Sequence, residues 1–369
     1  MDSQTPQSLP TATYVSPQIV VEPPAVGPSR RRGGAGRWFA RLVVFCGLGL
    51  VALVFLGLFR LGGVLGSSAD DGLHEQYHSL ARAGTHKVAI ITVEGTILGG
   101  DGFVKHQIDR VRSDQSVKAI VLRVNSPGGT VTGSDYLYHH LDKLVRERNL
   151  PLVVSMGGIA ASGGYYVAMA AGDGQDVIFA EPTTWTGSIG VVIPHYNVAG
   201  LMEHFQVEED SIKSHPLKQM GSPTRRLTEE ERRIFQELVD DSFHRFKEIV
   251  KAGRPYFREH EDELDKAATG QVFTTRQALE NHLIDREGFI EDALDRALVL
   301  ASLDKETTQV VKYKHFGGLL DTLLGVQLLG GHARNDRTDL EMLLELTSPR
   351  AYYLCTWLPA IETSLRPTH

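Results

Sequence analysis

Leu152-Val153-Val154-Ser155-Met156-Gly157-Gly158-Ile159-Ala160-Ala161-Ser162-Gly163-Gly164-Tyr165-Tyr166 carries an apolar strand through a run of small residues into an apolar helix. Glycine and alanine on both sides of one hydroxyl let the backbone turn sharply and let another chain approach closely. A serine in that position is presented to a substrate. Its hydroxyl is a poor nucleophile until a base takes the proton, so the reading turns on where that base is.

Outward from this segment the chain alternates short apolar runs with amphipathic ones. Val88 to Val93, Ala119 to Val124, Leu152 to Ser155 and Val177 to Ala180 have strand length, whereas 104–112 and 135–145 have helical spacing. This alternation predicts βαβ units, a largely parallel sheet covered by helices, and hence an α/β fold. Ile189 to Ile193 reads as one more strand. A long helix is predicted from Leu227, with Thr228 and Glu231 as a capping box ahead of Ile234, Phe235, Leu238, Val239, Phe243 and Phe246.

A second glycine turn, Asn125-Ser126-Pro127-Gly128-Gly129, follows the strand ending at Val124. Taken alone it is an ordinary strand-to-helix turn. Its unshielded N–H groups also suit an oxyanion, and two such turns at consecutive strand ends can face one crevice. For the base, His139 and His140 fall on a helix that reads as solvated, and His195 follows a proline in a loop. A lysine is the other option. Its ordinary pKa of ~10.4 would have to fall toward neutrality, about 4 kcal/mol of environmental work. Lys213 and Lys218 lie in a weakly charged stretch, and chemistry alone does not choose between them.

The first 85 residues read as an anchor. Residues 1–41 are predicted to be a disordered tail, rich in Pro, Ser and Thr and ending in Arg30, Arg31, Arg32, Arg37 and Arg41. Leu42 to Phe59 is eighteen residues without a charge and extends past Arg60 to Leu65. We read 42–65 as one transmembrane helix, with the N-terminus cytoplasmic and the remainder outside by the positive-inside rule. A cleaved signal peptide fits less well, because the preceding region is far too long. Residues 66–85 then form a linker, 86–300 the folded domain and 301–369 a C-terminal extension. The apolar tail Ala351-Tyr352-Tyr353-Leu354-Cys355-Thr356-Trp357-Leu358 reads as a packed edge strand rather than a segment free to enter a neighbour's site.

With 42% hydrophobic and 22% charged residues, the 369-residue chain has enough apolar material for a substantial core. A net charge of −7 argues against nucleic acid as a partner. Cys46 falls in the membrane segment and Cys355 near the far terminus, so they are not expected to pair. No metal cluster is recognisable and no cofactor is expected.

The segments N-S-P-G-G-T-V from 125, G-G-I-A-A-S-G-G-Y-Y from 157, T-G-S-I-G from 186, I-K-S-x-x-x-K from 212, S-P-x-R-x-L-T-x-E-E-R from 222 and G-Q-V-F-T-x-R-Q-A-L from 270 stand in one order. Together they make residues 86 to 300 resemble the signal peptide peptidase A family of membrane-anchored serine proteases, in a short, half-length form. The resemblance implies a Clp-protease/crotonase-like fold, a Ser-Lys dyad and degradation of signal peptides left in the membrane. It places the nucleophile at Ser162, the base at Lys218, a hydroxyl that orients the lysine at Ser188, and oxyanion N–H groups at Gly128, Gly129 and Gly163. It also implies a homo-oligomeric ring in which Ser162 of one protomer meets Lys218 of the next. His215-Pro216-Leu217 and Gln219 depart from the family pattern, as does His282 where glycine is usual. A crotonase-like acyl-CoA enzyme and a catalytically silent membrane scaffold share the fold and remain the alternatives.

Overall fold

Strands buried on both faces by flanking helices are built from near-continuous apolar residues, and the central strands here follow that rule. In the computed structural model, which describes residues 73–315 and 351–354, the elements are β1 (Leu73–Leu80), β2 (His86–Glu94), α1 (Phe103–Ser113), β3 (Val117–Ser126), β4 (Gly128–Thr130), α2 (Val131–Arg148), β5 (Leu152–Ala161) and α3 (Gly163–Ala168). They continue with β6 (Ile178–Ala180), β7 (Trp185–Gly187), α4 (Ala199–His204), α5 (Glu229–Gly253), α6 (Tyr256–Glu259), α7 (Glu261–Ala267), β8 (Val272–Thr274), α8 (Thr275–Glu280), β9 (Arg286–Glu287), α9 (Ile290–Leu300), β10 (Thr308–His315) and β11 (Tyr352–Leu354).

The main sheet runs β1-β10-β2-β3-β5-β6-β9, with β7 paired to both β5 and β8. From β10 to β9 every neighbouring pair is parallel, and β1 closes one edge antiparallel to β10. The predicted α/β class and parallel sheet are therefore present. Ile91, Ile120, Leu122 and Val154 are fully buried at the centre, each stabilising the fold by about 1.5–3 kcal/mol relative to exposure. Helix α5 starts at the predicted capping box, with the Thr228 hydroxyl accepting from Glu231 N and the Glu231 carboxylate accepting from Thr228 N.

Two expectations are corrected. Ile189 to Ile193 does not form a strand; the sheet uses Trp185–Gly187 instead. Gly187 and Ser188 then take positive φ values of 80° and 53°, which carries the chain out of the ladder before the apolar run begins. The sheet also reaches beyond 86–300 at both ends. β1 lies within the expected linker, and β10 within the expected extension sits between β1 and β2. Among the described residues no helix is long and apolar enough to cross a membrane. The disordered tail and the 42–65 span lie outside them. The expected edge strand in the apolar tail is found, as β11 paired antiparallel to β4.

Candidate active site

Ser162 stands at the junction of β5 and α3 with φ 54° and ψ −115°, a conformation that non-glycine residues rarely adopt. Its backbone is held on both sides, since Ser162 N donates to Gly187 O at 2.7 Å and Ser162 O accepts from Tyr166 N at 2.8 Å. The residue is almost completely buried. Parallel pairing of β5 with β7 ends with Ala161 opposite Gly187, and the Ser162 N–H bond to Gly187 O sets the Gly187–Ser188 peptide beside Ser162. Ser188 is likewise buried and at positive φ, with its N–H tied to Gln271 O at 2.7 Å.

The second glycine turn packs directly against this junction. A Cβ on Gly163 would fall 3.1 Å from both Gly128 Cα and Gly129 N, and one on Gly128 would fall 2.6 Å from Gly163 N and 3.1 Å from Ser162 Cβ. Only glycine permits that approach, and Gly128, at φ 100°, needs the freedom twice over. Ser126 Oγ accepts from Gly128 N at 3.1 Å and orients the turn. Gly128 O and Thr130 N bond to Ile97 on one side, so Gly129 faces the other way. Gly163 opens α3, where an N–H has no intrahelical acceptor. The Gly128–Gly129 turn and the Ser162–Gly163 junction are therefore in close backbone contact, and on its outer side Gly129 is paired with Tyr353 of β11.

Lys218 is not at this junction. It is exposed on a 3₁₀ turn, Pro216–Gln219, and no hydrogen bond or ion pair joins it to Ser162. The departures His215 and Pro216 build that turn: His215 Nδ1 accepts from Leu217 N at 3.2 Å, and Pro216 occupies the first position, where its missing N–H costs nothing. Lys213 is also exposed, and its ammonium is bonded to Gln219 Oε1. His139, His140 and His195 make no hydrogen bond to Ser162, and a Ser-His pairing finds no support among them.

Sequence reasoning missed what holds the lysine turn. Arg225 donates to Gln219 O at 2.8 Å through Nη2 and to the buried Glu231 carboxylate through both Nη atoms, one at 2.9 Å. Its guanidinium, with the Thr228 N–H, pulls the Glu231 carboxyl down to about 2 against the cost of burial. Arg225, Thr228 and Glu231 all belong to the 222–232 motif, so the signal was present in the sequence, but its role as a clamp from α5 to the Lys218 turn was not legible there. A cavity of about 410 Å³ lies nearby, lined by Ile193, Pro194, Tyr196, Leu227, Phe235 and Val239 among others. Tyr196, Leu201, Phe205 and Ile212 are exposed on the same stretch of chain.

A strained serine at a strand-to-helix junction, packed against a glycine turn, fits the class of serine-nucleophile α/β enzymes. Peptidase family S49 matches residues 145–304. A Synechocystis sp. protein named as a protease is 39% identical over 224 residues, covering 61% of this chain and 78% of its own length. A protein of Enterococcus faecium named as a signal peptide peptidase is 37% identical over 209 residues (57% and 58%), and Protease 4 of Salmonella typhi is 36% identical over 224 residues (58% and 35%). The chain belongs to peptidase family S49. It spans 58% of the Enterococcus relative's length and about a third of Protease 4.

Proposed function

We propose that this chain is a membrane-anchored serine endopeptidase that cleaves extended apolar peptides, including remnant signal peptides, at the outer face of the membrane. The observation that carries the reading is the packing of the Gly128–Gly129 turn against the Ser162–Gly163 junction, with the serine held at φ 54°. Ser162 attacks the peptide carbonyl, and the N–H groups of Gly129 and Gly163 receive the negative charge that develops on its oxygen. Lys218, neutral, takes the Ser162 proton and later delivers it to the leaving amine, while Ser188 orients the ammonium.

A neutral lysine needs a dry environment, and Lys218 is exposed on its own chain. Contact with a second copy supplies the missing burial. A closed homo-oligomeric ring, with Ser162 of one protomer meeting Lys218 of the next, accounts for both facts. The exposed apolar residues Tyr196, Phe205 and Ile212 around the lysine turn are the surface such a contact would cover. The 42–65 segment serves as the anchor, and with no ATPase motif in the sequence, extended chains are preferred over folded proteins.

Subunit mixing tests this. Ser162→Ala and Lys218→Ala variants, each inactive alone, are expected to recover about a quarter of wild-type activity in randomly mixed rings, because one neighbour pairing in four restores both groups. Mixed rings without recovery would show that the base does not come from a neighbour.

A further inference from the structure

The strand that delivers Ser162 is interrupted just before it does so. β5 follows β3 in parallel register from Leu152 to Met156, which stands opposite Val124, but the next pair is Ala160 opposite Ser126. β5 advances four residues where β3 advances two, so Gly157, Gly158 and Ile159 lie opposite Asn125 alone. The same step changes the neighbour on the other side. Val154 to Met156 pair with β6, whereas Ile159 to Ala161 pair with β7. A bulge bends its strand and re-aims the residues beyond it. Here those residues end in Ser162, and Ala160 is set against Ser126, whose hydroxyl holds Gly128 N at 3.1 Å. One bulge therefore fixes the register of both the serine and the glycine turn.

Apolar packing does not hold the bulge, because Gly157 and Gly158 have no side chains and Ile159 is half-exposed. Polar side chains take its backbone groups instead. Asn125 Oδ1 accepts from Ile159 N at 3.2 Å. Thr184 Oγ1 donates to Gly157 O at 2.6 Å, and Thr186 Oγ1 to Ala160 O at 2.7 Å. Both threonines are fully buried, whereas Asn125 reaches in from the surface. Thr184 is itself anchored, since its N–H donates to Glu181 O at 3.0 Å and Thr275 Oγ1 donates to the same oxygen at 2.5 Å.

We propose that Asn125 and Thr184 are positioning residues for the nucleophile, acting through the backbone of Gly157 to Ile159. They keep the two additional residues out of the ladder, and so set where along β7 Ser162 meets Gly187 O. The role of Ser162 in this statement rests on the peptidase reading. The leverage is geometric. Each residue drawn back into regular pairing would carry Ser162 about 3.3 Å along the sheet, and a misplacement of about 1 Å already costs up to about a hundredfold in rate.

The test uses the full chain and a fluorogenic apolar peptide. Asn125→Ala is expected to lower kcat by about ten- to a hundredfold with KM nearly unchanged. Asn125→Asp keeps an oxygen acceptor in the same place and is expected to restore most of the rate. Thr184→Val removes the Gly157 bond at constant shape and is expected to act like Asn125→Ala, while Thr184→Ser, which keeps the hydroxyl, stays closer to native. Because both side chains hold one bulge, the double variant Asn125→Ala/Thr184→Val is expected to lose less than the product of the two single losses. Amide exchange read by mass spectrometry is independent of turnover: in Asn125→Ala the segment 157–162 is expected to exchange faster and β2 to be unchanged. Native kcat in Asn125→Ala, equal rates for Asn125→Ala and Asn125→Asp, or unaltered exchange at 157–162 would each overturn the inference. A native chain that cleaves no peptide, yet shows the exchange difference, removes the peptidase reading and leaves the hold on Ser162 standing. An active native chain unaffected by both substitutions removes this inference alone.

Discussion

Replacing Glu231 by glutamine keeps the shape of the side chain and removes the charge that Arg225 grips. In the native fold the carboxylate accepts from Thr228 N at 2.9 Å and from Arg225 Nη1 at 2.9 Å, and it titrates near 2 rather than in the usual carboxylate range near 4.5. A displacement of that size corresponds at face value to about 3 kcal/mol. The Arg225 side chain is 31% exposed, and solvent screening reduces the net loss to about 1–2 kcal/mol. For a folded unit of this size that lowers Tm by about 2–8 °C. The sign with pH follows from the depressed carboxyl: its contribution is complete above about pH 5 and is lost as pH falls toward 2, because the unfolded chain takes the proton first. Native protein should therefore lose the Tm difference from Glu231→Gln on acidification below pH 4, as measured by calorimetry across pH. Arg225 also holds Gln219 O, at the end of the Lys218 turn. A looser clamp misplaces the base, and an ångström of error costs up to about a hundredfold in rate. The expected kinetic signature at pH 7 is a fall in kcat of about tenfold or more with KM nearly unchanged. Glu231→Gln with the full Tm loss and native kcat would refute the claim that this clamp positions Lys218.

Ser162→Gly should abolish peptide hydrolysis yet raise Tm by about 2–12 °C, since glycine relieves a backbone conformation that costs a serine about 1–3 kcal/mol. A lower Tm in differential scanning calorimetry would mean the φ of 54° is not stored strain. Gly163→Ala places a Cβ 2.4 Å from Ser134 Oγ and 3.1 Å from Gly129 N. It should lower kcat by about ten- to a hundredfold by parting the two oxyanion donors. Adding Ser134→Ala removes the nearest overlap and should restore part of the rate, and a double variant no faster than the single one would assign the loss elsewhere.

How much of this was legible beforehand depended on whether a signal was local. The runs Val88 to Val93, Ala119 to Val124 and Val177 to Ala180 became central parallel strands because burial on both faces demands unbroken apolar sequence, which a short window reveals. The Thr228–Glu231 capping box was equally local and stands where it was read. β1 escaped notice because His74, Glu75, Gln76, His78 and Ser79 give it little apolar character. It exists through pairing with β10, more than two hundred residues further on, and no window spans that distance. Ile189 to Ile193 misled for the opposite reason. Its composition suits a strand, yet the positive φ of Gly187 and Ser188 decides the path of the chain before composition acts. The site divides along the same line. Ser162 was legible from its small neighbours, since a hydroxyl flanked by glycines has few structural reasons to be there. Lys218 was singled out only through the family resemblance, and among the described residues it is exposed, so nothing in its own neighbourhood marks it as a base. Tyr353 lay between these cases. The apolar tail was readable as a packed strand, but its partner, the glycine turn beside Ser162, is set by three-dimensional contact alone. A strand completed by a segment distant in the chain, as β4 is by β11, leaves little trace in its immediate sequence.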